Sequence, residues 1–161
     1  MEIIRKAKMS DRENIWNIFR QVIQSGETFA YPPDTQFKTF KKFWFATKQP
    51  CFVIGNGNEI LGSYVLRNNQ PGLGSHIANA SYIVNPLHQG KGIGKKLCIH
   101  SISEAKKAGY LGIQFNIVVS TNKPAIHLWK KMGFEIIGTT PNGFKHQQLG
   151  FVDTYIMYRK L

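Results

Sequence analysis

At 161 residues, 42% of them hydrophobic, the chain has the size of one domain, residues 1–161, with enough apolar material for a buried core. No run approaches the roughly 18 apolar residues of a membrane span, and Met1-Glu2-Ile3-Ile4-Arg5-Lys6 lacks the apolar segment of a secretory signal, so a cytoplasmic protein with no membrane partner is expected. The 21 Lys and Arg against 9 acids give a formal charge of +12, but scattered pairs such as Lys95-Lys96 and Lys106-Lys107 read as solvated helix faces, so nucleic acid is not expected as a partner.

Glu2 to Ala7 alternates weakly and reads as a strand. Ser10-Asp11-Arg12-Glu13 has the form of a capping box, with Ser10 at the N-cap and Glu13 three residues on. It is expected to open a helix whose Ile15, Ile18, Phe19, Val22 and Ile23 recur at helical spacing and which ends near Gly26. Glu27-Thr28-Phe29-Ala30-Tyr31-Pro32-Pro33-Asp34 is a loop rich in aromatics and Pro, followed by a helix over Thr35 to Thr47. Strands over Pro50 to Gly55 and Ile60 to Leu66 are joined by a turn at Asn56-Gly57-Asn58. Pro71-Gly72-Leu73-Gly74 leads into a strand from His76 to Val84.

A long helix then runs from the glycines near Gly90 to about Ala108, with Leu97, Cys98, Ile102 and Ala105 towards the core and Gly109 as its stop. A strand over Leu111 to Val118, a helix over Asn122 to Met132 and strands over Phe134 to Thr139 and Val152 to Arg159 complete the chain. The order β-α-α-β-β-β-α-β-α-β-β predicts an α/β fold, a mixed sheet with helices on both faces. The segment from Pro141 to Gly150 is expected as a connection long for a hairpin, with Lys145 and His146 bordering a functional site or a neighbouring subunit.

The most informative stretch is Val84-Asn85-Pro86-Leu87-His88-Gln89-Gly90-Lys91-Gly92-Ile93-Gly94-Lys95. A strand runs into a Pro-bounded turn and then Gln-x-x-Gly-x-Gly at the start of a helix, which gathers unpaired N–H groups at the positive end of the dipole. Such a geometry binds an anion, and the glycines let phosphate oxygens approach the backbone. It is neither a Walker A loop, which needs Gly-Lys-Ser/Thr, nor a dinucleotide loop, which follows the first strand of a parallel sheet.

This segment resembles the coenzyme A pyrophosphate loop of the GNAT acetyltransferase superfamily. Asn122-Lys123-Pro124-Ala125, followed by Trp129 and then Gly133-Phe134, resembles that superfamily's second hallmark, and the order of elements is also the same. The resemblance implies a GNAT fold of about seven strands, the fourth and fifth splayed, with acetyl-CoA as co-substrate. The amides of Gln89, Gly90, Lys91, Gly92, Ile93, Gly94 and Lys95 would hold the pyrophosphate. Ile83 and Val84 would pair with the pantetheine arm, and a backbone N–H among Tyr82, Ile83 and Val84 would supply the oxyanion donor. Asn122 would touch the cofactor arm and also fill the helix N-cap. Trp129 stands where many relatives carry the tyrosine that protonates the leaving thiolate. Indole gives up no proton at ordinary pH, so Tyr155, water or no dedicated acid takes that role.

Three candidates serve as general base: Glu27 in the loop that borders the acceptor pocket in such enzymes, His76 or Asn79 from the central strand, or a water chain. Two amides interrupt the apolar strand Ile113-Gln114-Phe115-Asn116-Ile117-Val118-Val119. Asn116, read as buried, either satisfies backbone groups freed by the splay or binds a carboxylate or carbonyl of the acceptor. Gln114-Phe115-Asn116 with Val152-Asp153 is similar to a branch that includes a yeast acetyltransferase of proline analogues.

A small-molecule amine, an amino acid or its analogue, is therefore the expected acceptor. Nine acids leave little with which to line a pocket for polyamines or aminoglycosides. The alternatives are a protein N-terminal or lysine acetyltransferase and a non-catalytic coenzyme A sensor. Cys51 and Cys98 are expected as free buried thiols, no metal is expected, and a homodimer through the late strands would be ordinary for such a protein.

Overall fold

A computed structural model describes residues 1–46, 49–57 and 59–161. The strands are β1 (Glu2–Lys6), β2 (Cys51–Asn56), β3 (Glu59–Asn68), β4 (Ile77–Val84), β5 (Gly112–Val119), β6 (Glu135–His146) and β7 (Gly150–Lys160). The helices are α1 (Arg12–Gln24), α2 (Phe37–Trp44), α3 (Ile93–Lys107) and α4 (Lys123–Lys131). One seven-stranded sheet holds the order β1-β2-β3-β4-β5-β7-β6. Only the β4–β5 contact is parallel, as the helical crossover through α3 requires. The expected order of elements and the mixed sheet are both present, and no described helix is long and apolar enough to cross a membrane.

Strand alternation divides the core between two sheet faces. Tyr64, Leu66, Ala78 and Ala80 pack with Leu97, Cys98 and Ala105 of α3 and Ile126 of α4. Val53, Val65 and Ile83 pack on the other side with Ile15, Ile18, Phe19 and Ile23 of α1 and Phe40 and Trp44 of α2. These four of the five residues in the predicted helical stripe are at most 4% exposed, and the fifth, Val22, is half-buried. Ser63, between the two helices and the sheet, accepts from Trp44 Nε1 at 3.2 Å and donates to the Phe52 carbonyl at 2.8 Å.

Several sequence expectations are corrected. Ser10 does not cap α1, because a 3-10 turn over Met9–Asp11 precedes the helix. The Asp11 carboxylate organises that entry, accepting from the Lys8 amide at 2.6 Å and from both Arg5 nitrogens at 2.6 and 2.9 Å. The second helix is shorter than expected, Phe37–Trp44. The end proposed at Thr47, like the Asn58 position of the β2–β3 turn, lies outside the described residues.

The expected long connection from Pro141 to Gly150 is mostly strand. β6 continues to His146 through an irregularity between the Thr140↔Thr154 and Phe144↔Val152 pairs. Pro141 falls inside it, where a missing N–H costs the ladder nothing on this edge strand. Asn142 takes φ 53 there, and its amide donates to Asp153 Oδ1 at 2.9 Å. The Gln147 amide at the hairpin tip donates to the Gly26 carbonyl at 3.2 Å, tying the tip to the end of α1.

Candidate active site

The strand-to-helix loop is shaped first by Asn85, whose Oδ1 accepts from the Leu87 amide at 3.0 Å and folds the turn over Pro86–His88. Gly90 and Gly92 then take φ of 74° and 79°, the left-handed region that a side chain disfavours. Gly92 is the N-cap of α3 and has no side chain to satisfy the first turn. No atom lies within 4 Å of where a Cβ would stand at either glycine.

The backbone amides of Gly90, Lys91, Gly92, Ile93, Gly94 and Lys95 donate to no described protein acceptor; the first helical bond runs from Lys96 to the Gly92 carbonyl at 3.1 Å. Six free donors at the positive end of a 15-residue helix, beside open space, fit the pyrophosphate of coenzyme A. Gln89, Lys91 and Lys95 are exposed around them, and Lys91 Nζ also reaches the Leu87 carbonyl at 3.2 Å.

Upstream, β4 and β5 pair only at Ile77↔Gly112 and Ala78↔Ile113 and then separate. The β5 ladder with β7 shifts between Phe115 and Val118 at the same level, leaving Asn116 and Ile117 outside the pairing. The Ile77 carbonyl accepts from the Asn69 amide just past the end of β3 at 2.8 Å, and the Asn85 amide donates to the Leu61 carbonyl of β3 at 2.9 Å. Alternation therefore turns the backbone groups of Ala80, Tyr82 and Val84 into the gap and those of Ile83 towards β3. Of the three predicted residues, Tyr82 and Val84 turn their amides into the gap, while Ile83 sends its side chain into the α1–α2 core.

The α4 side of the gap is aromatic. The Trp129 ring lies 5.0 Å from Tyr82, 4.9 Å from Phe115 and 6.2 Å from Phe134, and its indole N–H has no described protein partner. The Tyr82 hydroxyl pairs with Ser101 Oγ at 2.7 Å, and burial raises its pKa well above the usual phenol value. Asn122 caps α4, its Oδ1 accepting from the Ala125 amide at 3.3 Å. Tyr155 pairs with Val118 and packs half-buried against the same core. Burial pushes the Cys51 thiol up to about 11 and the Cys98 thiol up to about 12. Neither thiol is a nucleophile near neutral pH.

The α1–α2 side is polar. Asn116 is exposed rather than buried, because β5 bulges outward at this residue. Its Nδ2 donates to Asn69 Oδ1 at 2.8 Å, and Asn79, 7% exposed, donates to the same oxygen at 3.2 Å. Gln114 Nε2 donates to Asn116 Oδ1 at 3.0 Å. Arg67 Nη2 donates to Ser81 Oγ at 3.2 Å. The structure thus brings Asn79 and Asn116 together, while exposed His76 sits before the paired, closed end of the gap. Glu27 is half-buried in the α1–α2 loop and makes no ion pair among the described residues.

Sequence reasoning missed Arg67, Asn69 and Ser81. Arg67 closes an apolar run, Ile60 to Leu66, and its inward placement follows only from the phase of the strand.

A phosphate cradle beside a gap that accepts an extended arm is the architecture of a coenzyme A-dependent acyltransferase. The model of the acetyltransferase (GNAT) family matches residues 15–134, and the chain belongs to that family. A GCN5-related N-acetyltransferase from Kribbella flavida has the same fold at a TM-score of 0.95 and 35% identity, covering 99% of this chain and 98% of that one. N-acetyltransferase aca1 of Schizosaccharomyces pombe is 36% identical over 98 residues, 60% of this chain and 47% of that protein. L-amino acid N-acyltransferase MnaT of Escherichia coli is 35% identical over 66 residues, 41% of this chain and 38% of that protein. The matched regions thus span about half or less of these two curated relatives.

Proposed function

We propose that the chain transfers an acetyl group from acetyl-CoA to the amine of a small molecule, an amino acid or amino-acid analogue. The single observation that carries the donor half is the row of free amides from Gly90 to Lys95 at the head of α3, directly after a strand that parts from its neighbour.

The neutral amine attacks the thioester carbonyl, a C–N bond forms, and the oxyanion takes a hydrogen bond from the Val84 or Tyr82 amide. One such donor is worth about 3 kcal/mol in the transition state. Collapse breaks the C–S bond. An alkyl thiol ionises near pH 8.5, so the thiolate is a fair leaving group that water or Tyr155 protonates. Glu27 receives the amine proton through water.

The acceptor half rests on the amides of Asn79 and Asn116, placed together where β4 and β5 separate, and on the likeness to an enzyme described as an L-amino acid N-acyltransferase. Thiol release from acetyl-CoA against amino acids, proline analogues, arylamines, polyamines and short peptides tests the reading. Turnover with amino acids or their analogues supports it, and Glu27→Gln is then expected to slow the step. Turnover with peptides alone makes the chain a protein acetyltransferase. Tight acetyl-CoA binding with no turnover anywhere makes it a sensor.

A further inference from the structure

Arg67 is a half-buried cation with no carboxylate partner among the described residues. It follows Ser63 and Val65 on the β3 face that meets α1 and α2, and it stands opposite Asn79 in the β3–β4 ladder. A guanidinium carries five N–H donors. One of them is engaged here, at 3.2 Å from Ser81 Oγ.

The described ion pairs join Arg5 to Asp11, His88 to Glu59, Lys96 to Glu2 and Lys107 to Glu104, and none involves Arg67. Burial holds the guanidinium below its ordinary pKa, and the Tyr31 hydroxyl of the α1–α2 loop offsets this in part. A half-buried guanidinium with free N–H donors is a ready partner for an anion, since pairing offsets the cost of its partial desolvation.

The surroundings specify which anion. Ser81 and Asn79 lie on β4 beyond its last pair with β5, on the acceptor side of the gap. Asn79 and Asn116 each spend one amide N–H on Asn69 Oδ1 and keep a second. The site thus offers guanidinium and carboxamide donors, and among the described residues no carboxylate bonds Arg67, Asn79 or Asn116. That suits a planar carboxylate and repels an ammonium group.

We propose that Arg67 is the counter-ion of the acceptor's carboxylate, which fixes the acceptor class as a free amino or imino acid rather than an uncharged amine. This rests on the acetyltransferase reading above and adds to it the group that selects the substrate. The carboxylate enters between the guanidinium and the free amide donors of Asn79 and Asn116, which leaves the amine to face the thioester across Ser81.

The test compares L-amino acids with their carboxamides as acceptors for wild type, Arg67→Gln and Arg67→Lys. Melting temperature and acetyl-CoA affinity are measured for each variant. Removing a charge-assisted partner should raise KM for the acids roughly 10- to 100-fold. The carboxamides and acetyl-CoA should be almost unaffected, and Arg67→Lys, which keeps the charge but not the fork, should lie between.

Equal losses for acid and carboxamide, or no loss for either, overturn the proposal. Wild type that acetylates only uncharged amines overturns both this inference and the amino-acid reading. Wild type that acetylates amino acids, with Arg67→Gln unchanged, overturns this inference alone. Should Arg67→Gln fail to fold, the acid-to-carboxamide ratio in Arg67→Lys still decides, since a purely structural role would leave that ratio at its wild-type value.

Discussion

Asn116 on β5 donates to Asn69, 47 residues earlier and just past the end of β3, through a 2.8 Å side-chain bond. The bond spans the place where β4 and β5 have parted. It holds an exposed side chain at the acceptor side of the gap, where backbone pairing no longer does so. Asn116→Ala removes both a positioned donor and this tether. The account expects kcat/KM for the acceptor to fall roughly 10- to 100-fold, with acetyl-CoA affinity unchanged. Steady-state kinetics with each substrate varied in turn checks this.

The cradle makes a sharper prediction. Gly92 has φ 79° and open space beyond its Cα, so Gly92→Ala meets backbone strain and not a clash. The strain is about 1–2 kcal/mol, and the new methyl occupies the path by which phosphate oxygens reach the amides. Acetyl-CoA affinity should drop tenfold or more while the melting temperature shifts by only a few degrees, measured by calorimetry and thermal unfolding.

Trp129 is held by Tyr82, Phe115 and Phe134, so its first duty is packing. Trp129→Ala should cost about 2–4 kcal/mol of stability in denaturant titration. Trp129→Tyr installs a phenol on the helix that borders the gap. Because a thiolate needs little help to leave, kcat should rise less than about threefold.

Arg5 holds the Asp11 carboxyl below the usual carboxylate range through two direct hydrogen bonds, with the Lys8 amide adding a third. A depressed folded pKa adds stability that is present above the unfolded value near 4 and is lost as pH falls through the folded value. Asp11→Asn should therefore cost about 1–2 kcal/mol at neutral pH, discounted because Arg5 is 38% exposed. The gap between wild type and variant should close as pH drops below about 4, in urea unfolding curves at several pH values.

Much of this was legible in the chain. The loop from Val84 to Lys95 and the Asn122 cap announce themselves, because phosphate binding and capping are local and need residues at fixed spacing. The stripe of α1 and the order of elements follow from periodicity. The long span of β6 was hidden, since Pro141, Asn142 and Gly143 are turn residues that an edge strand absorbs in an irregularity. Arg67 and Asn69 were hidden for another reason. Their meaning depends on which residues lie beside them across the sheet, and no local pattern records that Arg67 stands opposite Asn79 or that Asn69 accepts from two distant amides.

The central claim, an acetyl group carried from coenzyme A to an amino acid, is tested most directly with isotope-labelled acetyl-CoA and a mixture of free L-amino acids, the products identified by mass spectrometry. The account predicts label on the amine of one or a few amino or imino acids, at a rate that tracks thiol release and collapses in Gly92→Ala. Label found only on uncharged amines or on peptides, or none at all under saturating acetyl-CoA, would contradict it.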